Sequence, residues 1–193
     1  GILADKIFGF RKAIIIGGVL MTLGHLSLAF HPMPAFYLGL TLLIVGNGFF
    51  KPNISSIVGQ LYPDGSDKKD GGYTIFYQGI NVGAFLGSIL CGYLGETIGW
   101  HYGFGLAGVF MLIGLIQFKL SEKMFGEIGL APIKIEKTEE MKEKENAPLT
   151  KVEKDRLKVV AVLAFFSIFF WAAFEQAGTS MTIFANDFTD RTL

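Results

Sequence analysis

Two ionisable side chains lie deep inside apolar stretches of this chain: Lys51 and Glu175. A charge in hydrocarbon costs several kcal/mol, about 2.5–3.5 on insertion scales, so such a group faces a cavity or a partner. A lysine near a membrane surface can instead reach its ammonium back to water. Beside Lys51, however, Pro52 removes a backbone donor and frees the carbonyl near Gly48, which suits a helix lining a water-filled cavity. Glu175 is near the middle of its stretch, too far in to reach water easily. At helical spacing it shares a face with Trp171, Thr179, Thr182 and Asn186, while the flanking faces are Phe, Ala and Ile. Such a stripe can be glue between helices. With a carboxylate at its centre it fits a pathway better, because the carboxylate can take a proton or grip an ammonium. Asn81, which shares its side of a third apolar stretch with Tyr77 and Ser88, needs hydrogen-bond partners of its own and is read as a substrate contact.

Other chemistry is not supported. No nucleophile is paired with a base, and no His/Glu spacing suits a metal, so neither an enzyme nor a metal or organic cofactor is expected. Gly46-Asn47-Gly48 before Phe49-Phe50-Lys51 resembles a phosphate loop only superficially. It lacks the preceding strand and the Gly-Lys-Ser/Thr ending. The single Cys91 makes no disulfide framework, and His25 is read as a packed polar residue. A net charge of zero gives nucleic acid no footing.

The elements that must position Lys51, Asn81 and Glu175 follow from the charge pattern. Half of the 193 residues are hydrophobic (51%), and between Lys12 and Lys119 the charges are confined to Lys51, a cluster at 64–70 and Glu96. A helix needs about 20 apolar residues to cross a bilayer. Five segments qualify, at roughly 12–30, 35–57, 72–94, 101–120 and 158–185. When the connections are assigned alternately to the two sides, every one of the 17 Lys and Arg residues except Lys51 and Arg191 falls on the same side. The connections at 31–34 and 95–100 have none. The basic side is therefore expected to be cytoplasmic, with the start of the chain inside and its end outside. In the third segment Gly79, Gly83, Gly87 and Cys91 recur every four residues, a flat face expected to press against another helix.

The organisation expected is thus an all-α membrane protein in three parts. Residues 1–120 carry a loop and four spans, 121–157 a charged cytoplasmic linker, and 158–193 the first span of a second bundle. Within the linker, Thr150-Lys151-Val152-Glu153 has the form of a capping box just after Pro148, so the last helix should start there and project from the membrane. The opening residues read as the middle of a motif, and the chain is expected to be a piece of a longer protein.

These residues bring a family into view. Gly1-Ile2-Leu3-Ala4-Asp5, then Gly9 and Arg11-Lys12, resembles the loop between the second and third helices of major facilitator transporters. Gly46-x-Gly48 with Lys51-Pro52-Asn53-Ile54-Ser55 is similar to the fourth-helix motif of the proton-dependent oligopeptide transporters within that superfamily. The run Phe76-Tyr77-Gln78-Gly79-Ile80-Asn81-Val82-Gly83 resembles their fifth-helix signature, and Phe170-Trp171-Ala172-Ala173-Phe174-Glu175-Gln176 their seventh helix. The resemblance implies a partial major facilitator bundle covering the third to seventh of twelve helices. The first-helix motif and the later helices lie outside this chain, and the linker is too short and polar for the extra helix pair that many prokaryotic members carry there. It implies a multi-pass protein of the plasma or inner membrane, monomeric at full length, that carries di- and tripeptides with protons by alternating access. A carrier of nitrate or another small solute is the alternative, with a membrane scaffold or membrane enzyme behind it. By resemblance, Lys51, Asn81, Tyr77, Trp171 and Gln176 contact the peptide. Glu175 also couples the proton, and Asp5, Gly9 and Arg11 form a conformational motif on the cytoplasmic loop.

Overall fold

The computed structural model describes residues 4–63, 65–131 and 148–189. Among them every regular element is helical, as hydrocarbon demands, because it offers no partner to an open backbone group. A π-helical turn, Ala4–Phe8, leads into α1 (Gly9–Leu28). Helices α2 (Met33–Gln60), α3 (Lys68–Thr97) and α4 (Trp100–Ser121) follow, and a 3₁₀ turn, Glu122–Phe125, ends the series. Later come α5 (Lys151–Phe174), a 3₁₀ turn (Glu175–Gly178) and α6 (Ser180–Phe188). Among the described residues five stretches are long and apolar enough to cross a membrane, at the positions expected from the sequence. The chain divides into two compact units, residues 1–134 and 135–193.

In the first unit α2 packs on α1, α1 on α4, and α4 on α3. The α1–α2 contact is backbone against backbone. A methyl group on Gly17 would come 2.7 Å from the Gly46 carbonyl oxygen, and one on Gly39 would come 2.9 Å from that of Gly24. The seven-residue spacing from Gly17 to Gly24 matches that from Gly39 to Gly46, so two antiparallel helices touch twice along their length. This pairing was overlooked in the sequence, although glycines two helical turns apart signal it. Glycine also brings α4 onto its neighbours: Gly108 lies against His25 and Leu26, and Gly103 against the Cys91 carbonyl. The buried residues, Ala13, Ile14, Thr22, Leu28, Asn53 and Ile57 among them, cluster on α1 and the face of α2 that meets it.

The glycine face of α3 behaves differently from its expectation. A methyl on Gly79, Gly83 or Gly87 would meet nothing within 4 Å. Instead Gly83, Gly87 and Cys91 line an open hollow with His25 of α1 and Ala107, Phe110 and Met111 of α4. The small side chains there leave room that no described helix fills.

These contrasts set a stability test. Gly46→Ala should lower the thermal stability of the detergent-solubilised protein, because overpacking a tight contact costs about 1–3 kcal/mol. Gly79→Ala should leave it unchanged or slightly raised, since alanine is the better helix former. Equal effects would show that the α1–α2 crossing is no tighter than the open face of α3.

Candidate functional site

The Lys51 region of α2 sorts its residues by face. Gly46 packs on α1, whereas a methyl on Gly48 would meet nothing, so Gly48 and Lys51, three residues apart, look out on the open side. Pro52 sits inside the helix and cannot donate to the Gly48 carbonyl. Lys51 is exposed, and its ammonium has no partner among the described residues. Hydroxyls and an amide tie the local backbone: Ser55 donates to the Lys51 carbonyl at 3.2 Å, Ser56 to Pro52 at 2.9 Å and Asn53 Nδ2 to Phe49 at 2.6 Å. Asn53 is 1% exposed, and its Oδ1 is buried without a hydrogen-bond partner. In the sequence Asn53 stands out only as part of a motif, yet its side chain is the most buried of that motif.

Asn81 and Tyr77 are exposed on α3, and Asn81 Nδ2 donates to the Tyr77 carbonyl at 2.9 Å. Helices α2 and α3 meet near their basic ends, where the Tyr73 hydroxyl donates to the Ser55 carbonyl at 3.4 Å. Outward from that point Lys51 stands about 6 Å and Asn81 about 12 Å along their helices, at 1.5 Å per residue. The two residues therefore lie on adjoining helices of one unit. They line no enclosed cavity in common: both are exposed, and the hollow on α3 belongs to Gly83, Gly87 and Cys91.

Asp5, Gly9 and Arg11 form the loop motif. Asp5 is exposed in the π-helical turn. Gly9 has φ +75°, and a methyl there would lie 2.5 Å from the backbone of Leu130 and Ala131, so both backbone angle and space require glycine. Arg11 is 6% exposed. Its Nε donates to the Ile128 carbonyl and its Nη2 to that of Gly126, each at 2.5 Å, while the guanidinium lies 5.7 Å from the centre of the Phe125 ring. The Arg11 backbone N–H adds a 3.0 Å bond to Gly129. Arg11 thereby clasps the chain that follows α4.

In the second unit, Thr150 and Glu153 make the expected reciprocal cap: the Glu153 N–H donates to Thr150 Oγ1, and the Thr150 N–H to the Glu153 carboxylate at 2.8 Å. The span that follows is not one helix. Glu175 is the C-cap of α5, the 3₁₀ turn Glu175–Gly178 comes next, and Thr179, at φ −127° and ψ −100°, interrupts the register before α6. Trp171 and Glu175 keep their relation, but the stripe expected to run on through Thr179, Thr182 and Asn186 is broken. The physical reason lies in the sequence Gln176-Ala177-Gly178-Thr179-Ser180, where a glycine and adjacent hydroxyls offer the backbone other partners. Gln176 brackets the break. Its Nε2 donates to the Ala172 carbonyl at 3.2 Å, and its Oε1 accepts from the Ser180 hydroxyl at 2.5 Å. Glu175 is exposed, and its carboxylate has no partner among the described residues. A carboxylate beside broken backbone at membrane depth can hold a proton or a cation.

The POT family model matches residues 11–140. This chain belongs to the POT family. Its bundle is of the major facilitator type. The chain is 32% identical over 249 residues to the peptide transporter YePEPT of Yersinia enterocolitica subsp. palearctica, an alignment covering 99% of this chain and 49% of that protein. The alignment is longer than this chain because that relative has residues without a counterpart here. The chain is 37% identical over 134 residues to the di-/tripeptide transporter of Lactococcus lactis subsp. lactis, covering 68% of this chain and 27% of that one. A crystal structure of a POT family transporter in complex with a thioalcohol-conjugated peptide aligns at a TM-score of 0.64 and 30% identity, covering 95% of this chain and 36% of that one. The chain thus spans about half the length of the first relative and a smaller share of the other two. The POT family assignment makes it part of a multi-pass membrane protein.

The bracket at Gln176 can be tested without a transport assay. Gln176→Leu removes the side-chain hydrogen bonds to Ala172, Thr179 and Ser180. Amide exchange around 175–183 in the purified protein should then speed up about fivefold, the equivalent of about 1 kcal/mol of local stability. Exchange rates equal to wild type would mean that the break is held by other contacts.

Proposed function

We propose that the chain forms part of a proton-coupled symporter of di- and tripeptides that works by alternating access. The observation that carries this reading is the break of the last span at Glu175, in a chain whose family model covers the Lys51 and Asn81 motifs. Binding sites in transporters are commonly built where a membrane helix is discontinuous and backbone polar groups come free. The names of the relatives, a peptide transporter and a di-/tripeptide transporter, support the substrate class.

In this reading Lys51 meets the peptide's carboxylate end, and Asn81 and Tyr77 supply neutral hydrogen bonds from α3. Gln176 fixes the break, so that Glu175 presents its carboxylate to either a proton or the peptide's ammonium. Whatever stabilises the ionised carboxylate releases its proton, and that exchange couples the two solutes. Trp171, one turn before Glu175, gives the substrate an apolar wall. The basic side of the bundle is cytoplasmic, the protein resides in the plasma or inner membrane, and the full-length transporter is a monomer. Asp5, Gly9 and Arg11 act on the conformational change rather than on the substrate.

Uptake of a labelled dipeptide into liposomes containing the full-length protein, driven by an imposed proton gradient, tests the whole reading. A lack of accumulation above protein-free liposomes, or uptake indifferent to the gradient, would reject it. Lys51→Ala should cut that uptake at least about tenfold, the scale of one charge-assisted hydrogen bond, with expression and insertion near normal. Glu175→Gln, nearly isosteric but unable to ionise, should impair proton-driven accumulation more than counterflow exchange. Wild-type accumulation in that variant from acid to neutral pH would leave Glu175 with no part in coupling.

A further inference from the structure

Among the described residues, the deepest positive charge of the first unit has no negative partner. Arg11 is 6% exposed, and its guanidinium engages two carbonyl oxygens and the Phe125 ring, with no carboxylate among the described residues paired to it. Carbonyl dipoles offset only part of the desolvation of a full charge, so a buried cation ordinarily has a counter-charge as well. Arg11 is not sealed off. It lines a hollow of about 430 Å³ together with Lys119, Leu120, Glu122, Lys123 and Gly126.

The charges around that space do not cancel. Glu122 is paired with Lys119, three residues before it. Glu127 is exposed and pairs with neither Arg11 nor Lys123. Among the described residues, Arg11 and Lys123 therefore face the hollow with two uncompensated positive charges. The guanidinium has five N–H donors and spends two on carbonyls, leaving donors for an oxyanion. One apolar side chain of the lining, Leu120, is 77% exposed, and Met124, next in sequence to Lys123, is 85% exposed. The hollow lies at the end of the α4 span, on the side of the bundle that collects the Lys and Arg residues.

We propose that this hollow binds a phosphate oxyanion, supplied by the headgroup of an acidic phospholipid. Arg11 and Lys123 neutralise the phosphate, and Leu120 and Met124 border the acyl chains. A soluble anion would gain nothing from those two apolar side chains. A lipid held there bears on the clasp between Arg11 and residues 126–129, and so stiffens the start of the linker. The inference rests on the membrane placement of the helices and not on peptide transport.

The test uses the full-length protein in detergent, with lipid binding read by native mass spectrometry and stability by thermal melting. Phosphatidylglycerol should bind and raise the melting temperature, and added salt should weaken the effect. Phosphatidylcholine, with no net charge, should do neither. Lys123→Gln should weaken phosphatidylglycerol binding about fivefold. Lys119→Gln, which leaves Glu122 unpaired in the hollow, should weaken it at least as much. Both variants leave the Arg11 clasp intact, so a failure to fold does not obscure the result. Equal phosphatidylglycerol affinity in Lys123→Gln and wild type, or equal binding of the two lipids, would overturn the proposal. Stabilisation by inorganic phosphate alone to the same extent as by phosphatidylglycerol would overturn the lipid source and assign the hollow to a soluble anion.

Discussion

Within the first unit much depends on how closely two helix backbones can approach in a medium that gives apolar side chains no reason to leave it. Lipid tails are as apolar as leucine, so helices associate there through dispersion and polar contacts rather than through the exclusion of water. At Gly17 and Gly46, and again at Gly24 and Gly39, α1 and α2 come within backbone contact, and among the described residues no other pair of helices in the unit touches in this doubled way. That contact brings the basic end of α1 beside the end of α2. A side chain added to Gly129 would run into both Ile57 of α2 and Arg11 of α1, so the segment after α4 closes over the same corner. The Arg11 clasp is thus a consequence of the crossing as much as of the arginine.

Much of this was legible in the sequence because the bilayer imposes simple periodicities. Apolar length located five spans, and Thr150 with Glu153 marked where the last helix starts. Glycine patterns were harder to read. The four-residue repeat on α3 is the more conspicuous, yet it faces open space, whereas the seven-residue spacings on α1 and α2 make the tight contact. A glycine repeat shows that a backbone can be approached and carries no record of which helix approaches it. Arg11 was identified by motif, but its partners are carbonyls more than a hundred residues away. Carbonyls are present at every position, so no pattern of residue types announces them.

The stripe through Glu175 failed for a related reason. Helical spacing projects a face forward only while the register holds, and five residues, Gln176 to Ser180, break it. Their composition carries a warning: glycine, threonine and serine after a glutamine are poor company for a continuous helix, and each hydroxyl or amide can satisfy the backbone in another conformation. The chemistry expected at Glu175 is nonetheless better served by the break than by the stripe. A continuous helix would hold Glu175 and Thr179 on one regular face. The interruption adds a bracketing amide and turns the hydroxyls of Thr179 and Thr182 onto the carbonyls of Glu175, Gln176 and Ala177.

Within the first unit, burial separates the residues that hold the helices together from those expected to act. Ala13, Ile14, Asn53, Ile57 and Arg11 are packed among neighbours, while Lys51, Tyr77 and Asn81 are exposed on the helices that carry them. Each kind of residue needs its own surroundings. A side chain locked in a dense contact cannot exchange one partner for another, and a transporter's binding residues must do so in every cycle. In Gly46-Asn47-Gly48 both demands meet within three residues: the first glycine admits the α1 backbone, and the last keeps the surface beside Lys51 bare. One helix can therefore serve as scaffold on one side and as binding surface on the other. Pro52 lies between Lys51 on the open side and the buried Asn53, where the helix can lose one backbone hydrogen bond and keep its packed face.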